Sequence, residues 1–202
     1  MFISLFISLS LFGQSYQRIG DPDLCKSRLE KKTKATKSIS GEFKETVHSS
    51  LFNEPQYGKG KIFYQSENKI RWEHTSPKKQ VVLISSQGMR IAENGVESKS
   101  SGSQTIMKKV KALMMQLLNG DFLNEKDFKI TYYESSDKYK LVLKPKSSRM
   151  ARYISSVVMV FNKKSLRLNK MILKENEDER IEYSFVNLKF NQPINSSTFT
   201  KF

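Results

Sequence analysis

The sequence predicts a mainly β protein with a few helices (α+β), in which a strongly curved antiparallel sheet forms an open half-barrel covered by a helical lid. Short apolar segments recur about every ten residues with polar turns between them, which is typical of antiparallel strands. Residues 103–118 carry an apolar stripe at helical spacing that is wide enough to need burial. Too few helices alternate with the strands for a doubly wound sheet, so a curved sheet or open barrel is favoured.

The N-terminal segment has the pattern of a secretory signal peptide. Its residues 1–15, MFISLFISLSLFGQS, carry no charged side chain and are apolar over 2–12. A membrane anchor is the alternative, but this apolar run is shorter than the roughly 20 residues that span a bilayer. We therefore expect an exported protein with a signal peptide over 1–15 and a single soluble domain over 16–202.

The net charge of the chain indicates which kinds of molecule it can bind. The net charge of +15 predicts attraction to anionic surfaces such as lipid headgroups or nucleic acid. Nucleic acid is the less favoured partner, because an exported protein rarely meets it and no RNP or KH motif is present.

Cys25 is the only cysteine, so an internal disulfide is impossible. We expect it to be a small buried residue rather than a reactive thiol.

The first elements are a helix and two hairpins. Residues 24–36, LCKSRLEKKTKAT, predict a short basic helix behind the start signal at 21–23. After this helix the apolar residues recur at the two-residue spacing of strands. This spacing predicts a strand from Gly41 and hairpins that turn at 67–68 and at 87–88.

The predicted helix over 103–118 follows these hairpins. Ser103 is a suitable N-cap, and Asn119-Gly120 is a stop signal. The stripe consists of Ile106, Met107, Val110, Leu113, Met114, Leu117 and Leu118. Methionine adapts to irregular apolar partners, so the stripe suits either a core or a ligand of changing shape.

Five more strands are predicted beyond this helix. They lie in the segments FKITYYES, KYKLVLKP, RYISSVVMVF, LRLNKMILKE and ERIEYSFVNLKF. In the last segment the apolar parity changes between Phe185 and Val186, which predicts a β-bulge. The acidic run at 175–179 lacks the glycine and spacing of an EF-hand loop and is expected to be an exposed hairpin tip.

Catalytic and metal-binding motifs are missing from the sequence. Its two histidines, His48 and His74, lie in predicted strands without a second ligand nearby in the sequence. GxSxG, a Gly-rich phosphate loop and HExxH do not occur. We expect neither an enzyme nor a bound cofactor or metal.

The segment GKGKIFYQSENKIRWEHTSPKKQVVLISSQG, residues 58–88, combines glycine, tryptophan and proline in a recognisable order. Its key positions are Gly60 with Ile62, Trp72, Pro77, Val81 to Ile84, and Gly88. Together with ISGEFKET, LLNG, YKLVLKP and YSFVNLKFNQPINSSTF, this order resembles the LolA-type periplasmic outer-membrane lipoprotein carrier family. The resemblance covers essentially the whole chain after the signal peptide.

The resemblance implies an incomplete antiparallel barrel covered by helices, with an apolar cavity for the acyl chains of lipoproteins. We expect eight residues of the strands and of the 103–118 helix to line this cavity: Phe43, Ile62, Trp72, Val82, Met107, Val110, Met114 and Leu118. Trp72 would then face inward, while Arg71 and Glu73 face outward.

The function implied by the resemblance is a carrier that ferries lipoproteins toward the outer membrane. Its implied partners are acylated lipoproteins or other lipids, an inner-membrane ABC-type lipoprotein exporter and an outer-membrane acceptor. We expect a monomer that contacts anionic membranes transiently. The alternative is an envelope lipid-binding, sensor or interaction protein on the same scaffold with different cargo.

One turn departs from the family. Enterobacterial members carry Lys-Arg-Pro between the two strands that correspond to those of Gly60 and Trp72, and the arginine of that turn fastens the lid. This chain has Gln65-Ser66-Glu67 instead. Either another polar contact holds the lid, or the ligand is handled differently.

Overall fold

A computed structural model of the protein describes residues 15–66, 69–98 and 121–202. This part contains twelve strands, two α-helices and two 3-10 turns. The helices are α1 (Asp23–Lys34) and α2 (Ser148–Ala151), and the 3-10 turns are Asp121–Asn124 and Ser196–Phe199. The strands are β1 (Gln17–Arg18), β2 (Ser38–His48), β3 (Gln56–Gln65), β4 (Lys69–Ser76), β5 (Gln80–Ser85), β6 (Gly88–Glu93), β7 (Val96–Glu97), β8 (Phe128–Glu134), β9 (Lys138–Pro145), β10 (Ser156–Asn162), β11 (Leu168–Lys174) and β12 (Arg180–Phe190).

All of these strands belong to one antiparallel sheet. Their order is β1-β8-β9-β10-β11-β12-β2-β3-β4-β5-β6-β7, so β12 pairs with β2 and joins two groups of consecutive strands. The sheet is not closed, because β1 and β7 are its two edges. It is strongly curved, since Ile62 of β3 and Met159 of β10 line the same cavity although three strands separate them.

The inner face of the curved sheet carries the core. Cross-strand partners such as Ile62 and Trp72, or Leu141 and Met159, place apolar side chains side by side on this face. The largest fully buried side chains of the described residues are Phe43, Phe128, Leu29, Ile70, Leu123, Leu141, Leu143, Met159 and Val157.

Helix α1 packs on the inner face. Cys25 and Leu29 are four residues apart, share one side of the helix and are buried against the sheet. The guanidinium of Arg28 donates to the Tyr139 hydroxyl at 3.1 Å and to the Lys163 carbonyl at 3.3 Å. Burial raises the pKa of the Cys25 thiol to about 11, so this residue is a protonated part of the core, as the sequence predicted.

The bulge predicted in the last strand is present. The pairing of β12 with β2 shifts between Val186 and Lys189, and Asn187 has a φ of 54°. Past the shift, Leu188 packs over Gly41, where its Cδ2 atom lies 2.6 Å from the position of an added Cβ. The bulge therefore brings a second run of apolar side chains to the inner face.

Most other predicted elements are confirmed, namely the basic helix, both hairpins and the five later strands. The two-residue strands β1 and β7 were not predicted, because two residues show no periodicity. Residues 148–151 form α2 where a turn was expected, and β10 begins at Ser156 rather than near Arg152. The predicted signal peptide, except for Ser15, and the predicted helix 103–118 lie outside the described residues. No helix in the described ranges is long and apolar enough to cross a membrane.

Candidate functional site

An apolar cavity of about 80 Å³ lies between α1 and the inner face of the sheet. Its apolar lining comes from β2, β3, β10, β11, β12 and the β10–β11 turn and consists of Ile39, Ile62, Met159, Phe161, Leu166, Leu168, Phe185, Leu188 and Phe190. The rest of the lining is Lys32, Thr33, Thr36 and Arg167. Ligand pockets usually measure roughly 300–1,000 Å³, so an entire acyl chain enters only if the lining moves apart.

Strand geometry explains why these apolar side chains converge. Met159 and Phe161 are two residues apart on β10 and therefore share a face. On β12, Phe185 precedes the bulge, whereas Leu188 and Phe190 follow it. The change of parity at the bulge lets all three side chains of β12 reach the cavity.

Two threonines, Thr33 in the last turn of α1 and Thr36 just beyond the helix, add little polarity to the cavity. The Thr33 hydroxyl donates to the Leu29 carbonyl and the Thr36 hydroxyl to the Lys32 carbonyl, each at 2.9 Å. Because the helix satisfies both hydroxyls, the threonine methyl groups remain for contact with an apolar ligand.

Lys32 and Arg167 are the charged residues of the lining. The Arg167 guanidinium carbon lies 4.3 Å from the centroid of the Phe190 ring, which is itself part of the lining. Neither cation forms an ion pair with a carboxylate of the described residues. The cavity thus combines an apolar interior with two cations that lack an anionic partner in the described part of the chain.

An aromatic cluster adjoins the cavity. Trp72 stacks on Phe43 with ring centroids 4.6 Å apart and meets Tyr183 edge to face at 5.0 Å. Its centroid also lies 6.2 Å from that of Phe185, which lines the cavity. Trp72 is therefore linked to the cavity through one intervening ring.

A polar cluster lies beside these rings. His74 Nε2 is 3.2 Å from the Glu45 carboxylate, and the Tyr183 hydroxyl also donates to that carboxylate. Burial raises the pKa of Glu45, but the hydrogen bonds from His74 and Tyr183 outweigh it and leave this pKa below its usual value. Burial, with the adjacent Glu45 charge, raises the pKa of Tyr183 well above its ordinary range. The cluster fixes three strands to one another.

The residues predicted to line the cavity are only partly in the described structure. Phe43, Ile62, Trp72 and Val82 share the inner face, and Ile62 contributes to the cavity lining. Phe43 and Trp72 pack in the adjoining aromatic cluster, and Val82 is the cross-strand partner of Trp72. The remaining four predicted residues lie outside the described residues: Met107, Val110, Met114 and Leu118.

Sequence reasoning missed the contribution of β10, β11 and β12 to the lining. The alternating apolar residues of these strands mark them as half-buried, but periodicity does not tell which strands face a given helix. It also missed the two cations of the lining, because runs of lysine and arginine are common in this chain. Within the described ranges, no three His, Cys, Asp or Glu side chains converge as in a metal site.

Comparison with known proteins assigns the chain to a protein family. Residues 34–201 match the family described as outer membrane lipoprotein carrier protein LolA. This chain belongs to the LolA family. An outer-membrane lipoprotein carrier protein of Coxiella burnetii (strain CbuK_Q154) is 26% identical over 145 residues, covering 71% of this chain. The match spans 66% of that relative, slightly less than two thirds of its length.

Several solved structures resemble this chain at low sequence identity. An uncharacterized conserved protein of Thermus thermophilus is 7% identical with a TM-score of 0.52, covering 90% of this chain and 94% of its own. MucB, whose structure was determined in complex with MucA(peri), is 12% identical with a TM-score of 0.50. The match covers 89% of this chain and 59% of the MucB chain. A LolA superfamily protein of Nitrosomonas europaea is 13% identical with a TM-score of 0.45. The match covers 87% of this chain and 97% of the Nitrosomonas chain. At these identities the first two matches show a common fold only.

Proposed function

We propose that this protein is a periplasmic carrier that binds the acyl chains of lipoproteins and ferries them toward the outer membrane. The observation that supports this function is the apolar cavity between α1 and the inner face of the sheet, in a chain of the LolA family. The relatives in Coxiella burnetii bear the name of such carriers. The reaction is reversible binding without covalent chemistry.

The energetics of acyl burial fit a carrier. Burial of one CH₂ group stabilises a complex by about 0.8 kcal/mol, so fourteen methylenes contribute roughly 10 kcal/mol before entropic costs. The cavity of about 80 Å³ is too small for such a chain without rearrangement. Opening it uses part of the binding free energy, which prevents the complex from becoming too tight for release.

The partners and the lid belong to the same proposal. An inner-membrane ABC-type exporter would load the carrier, and an outer-membrane acceptor would receive the cargo. The helix that the sequence predicts over 103–118 would cover the cavity.

Met114→Lys tests the role of this helix. It should abolish binding of a fluorescent fatty acid while the thermal midpoint stays close to that of the wild type. Retained binding, or loss that only follows unfolding, would contradict the role of this helix.

Native mass spectrometry and a cavity variant test acyl binding directly. The purified protein should carry a co-purifying lipid or lipopeptide, and Leu168→Asn should weaken fluorescent fatty-acid binding because it places an unpaired amide in the cavity lining. Ile172→Asn is the matched control, since Ile172 pairs with Val158 on the opposite face of the same strands. Equal affinities of the two variants would exclude this cavity as the acyl site.

A second candidate is an envelope interaction or sensor protein. The similarity in fold to MucB, whose structure was determined in complex with MucA(peri), favours it. Such a protein would be purified without lipid and with a tightly bound protein partner. A lipid-free protein that fails to bind fatty acid would therefore replace the carrier proposal with this one.

A further inference from the structure

We propose that the cavity selects amphiphiles with an anionic headgroup, a carboxylate or a phosphate, which Lys32 and Arg167 bind. This inference rests on the proposed acyl-binding function and specifies which other lipids, besides lipoprotein acyl chains, the same cavity binds. Its starting point is the charge of the lining, which among the described residues consists of nine apolar residues, two threonines, two cations and no acidic residue. An apolar interior beside positive charge that has no carboxylate partner in this part of the chain matches the chemistry of a tail joined to an anion.

Arg167 is held at the cavity by its surroundings. Its guanidinium stacks on Phe190, one of the lining residues. The preceding turn is tied together by Asn162, whose Oδ1 accepts from the backbone N–H groups of Lys164 and Ser165 at 3.1 and 2.8 Å. The Asn162 N–H also donates to the Arg167 carbonyl at 3.0 Å. A cation on such an ordered turn loses little entropy when it binds an anion.

Lys32 differs from the other lysines in the last turn of α1. Lys31, Lys32 and Lys34 all lie near the C-terminal carbonyls of the helix, where positive charge is stabilising. Lys32 alone of the three lines the cavity and is half-buried, whereas Lys31 and Lys34 are exposed. The helix end explains a lysine at each position, but the cavity gives Lys32 a second potential partner.

Two cations of the neighbouring elements, unlike Lys32 and Arg167, have carboxylate partners within the described residues. Lys163 forms an ion pair with Glu134, and Lys170 forms one with Glu182, each at 2.6 Å. At the cavity an anionic headgroup would supply the partner that the described lining lacks. The expected order of affinity is anionic above neutral above cationic, for tails of equal length.

Four surfactants with twelve-carbon chains test this order below their micelle concentrations. Isothermal titration calorimetry of the full chain would compare laurate, dodecyl phosphate, dodecyl maltoside and dodecyltrimethylammonium. Laurate and dodecyl phosphate separate the two anionic headgroups, and inorganic phosphate alone tests whether the tail is needed. The wild type should bind both anions more tightly than the maltoside, and the preference should shrink as salt is raised.

Charge variants assign the preference to the two residues. Lys32→Gln combined with Arg167→Gln should weaken dodecyl phosphate about tenfold, because each partly exposed pair changes affinity by a few-fold. Dodecyl maltoside should bind as before, and Arg167→Lys should keep most of the preference. Lys34→Gln combined with Arg152→Gln is the control with the same change in net charge at exposed positions.

The outcomes separate this inference from the proposed function. Equal binding of all four surfactants would overturn the headgroup selectivity and leave the acyl site intact. Failure of every surfactant to bind would overturn both. Unchanged dodecyl phosphate binding in the double variant, or binding of inorganic phosphate with the same affinity, would also overturn the assignment.

Discussion

The phenyl ring of Phe43 occupies the space beside the α-carbon of Gly60, its direct partner across β2 and β3. A Cβ atom on residue 60 would collide with this ring and with the carbonyl oxygen of Glu73. The glycine thus allows Phe43 to lie flat on the sheet and to stack on Trp72. The glycine and the tryptophan of the family pattern are joined through this one phenylalanine.

Gly60→Ala should destabilise the protein by at least 1–3 kcal/mol, the usual range for overpacking, because backbone as well as side-chain atoms must move. Urea unfolding followed by circular dichroism measures the loss. Gly20→Ala is the control, since a Cβ there would meet no atom within 4 Å. Equal stability of the two variants would show that the sheet adjusts at Gly60 without cost.

The lowered pKa of Glu45 predicts a loss of stability in acid. The folded state binds fewer protons at this carboxylate than the unfolded chain does, so its contribution is complete above the unfolded pKa of about 4.3. That contribution disappears as the pH falls through the folded pKa. Thermal midpoints between pH 6 and 3 should therefore decline more steeply for the wild type than for Glu45→Gln.

A control separates Glu45 from the other carboxylates of the protein. Glu54 is exposed and has no ion pair among the described residues, so Glu54→Gln should keep the pH dependence of the wild type. Identical pH profiles for Glu45→Gln and the wild type would contradict the stabilising role of the Glu45, His74 and Tyr183 cluster.

Arg71 should fasten the C-terminal segment to the outer face of the sheet. Its guanidinium donates to the Lys201 carbonyl at 2.6 Å and to the Thr198 carbonyl at 3.3 Å. Arg71→Met removes both hydrogen bonds as well as the 2.8 Å ion pair with Glu73, which should lower the free energy of unfolding by about 1–3 kcal/mol and speed amide hydrogen exchange over 196–202. Arg152→Met, at an exposed position, is the control. Unchanged exchange in Arg71→Met would show that other contacts hold the segment, such as the buried Phe199 ring and the hydrogen bond from Arg90 to the Thr200 carbonyl.

The orientation of Arg71 shows what the strand pattern predicted and what it left out. Alternation placed Trp72 inward and Arg71 outward, and both predictions are confirmed. The same reasoning named no partner for the outer face, which the C-terminal segment covers at this point. Such a contact joins residues about 130 positions apart, as the Arg71 and Lys201 pair does, and local periodicity carries no information about it.

The lining of the cavity is a second feature that local sequence periodicity does not predict. The parity change in β12 was visible in the sequence and predicted the bulge, yet its effect, bringing Leu188 and Phe190 to the cavity, depends on where α1 lies. The family resemblance directed attention to Phe43 and Trp72, which adjoin the cavity. The side chains that enclose it come from strands whose order in the sheet, β12 beside β2, cannot be deduced from pattern alone.

Trp72 should report ligand binding through its fluorescence. It is the only tryptophan in the chain, so any change in emission arises at one site. Its ring centroid lies 6.2 Å from that of Phe185, which lines the cavity, and an acyl chain that displaces Phe185 alters the packing around the indole. Titration with laurate should therefore change the emission of the wild type in a saturable way, with the midpoint that calorimetry gives.

Phe185→Leu tests the route by which Trp72 senses the cavity. Leucine keeps the lining apolar, so laurate should still bind within a few-fold of the wild-type affinity, but the fluorescence response should shrink because the ring between ligand and indole is gone. Phe190→Leu is the matched control, since Phe190 also lines the cavity but stacks on Arg167 rather than on Trp72. A full response in Phe185→Leu, or a response equally reduced in both variants, would show that the ligand reaches Trp72 by another path.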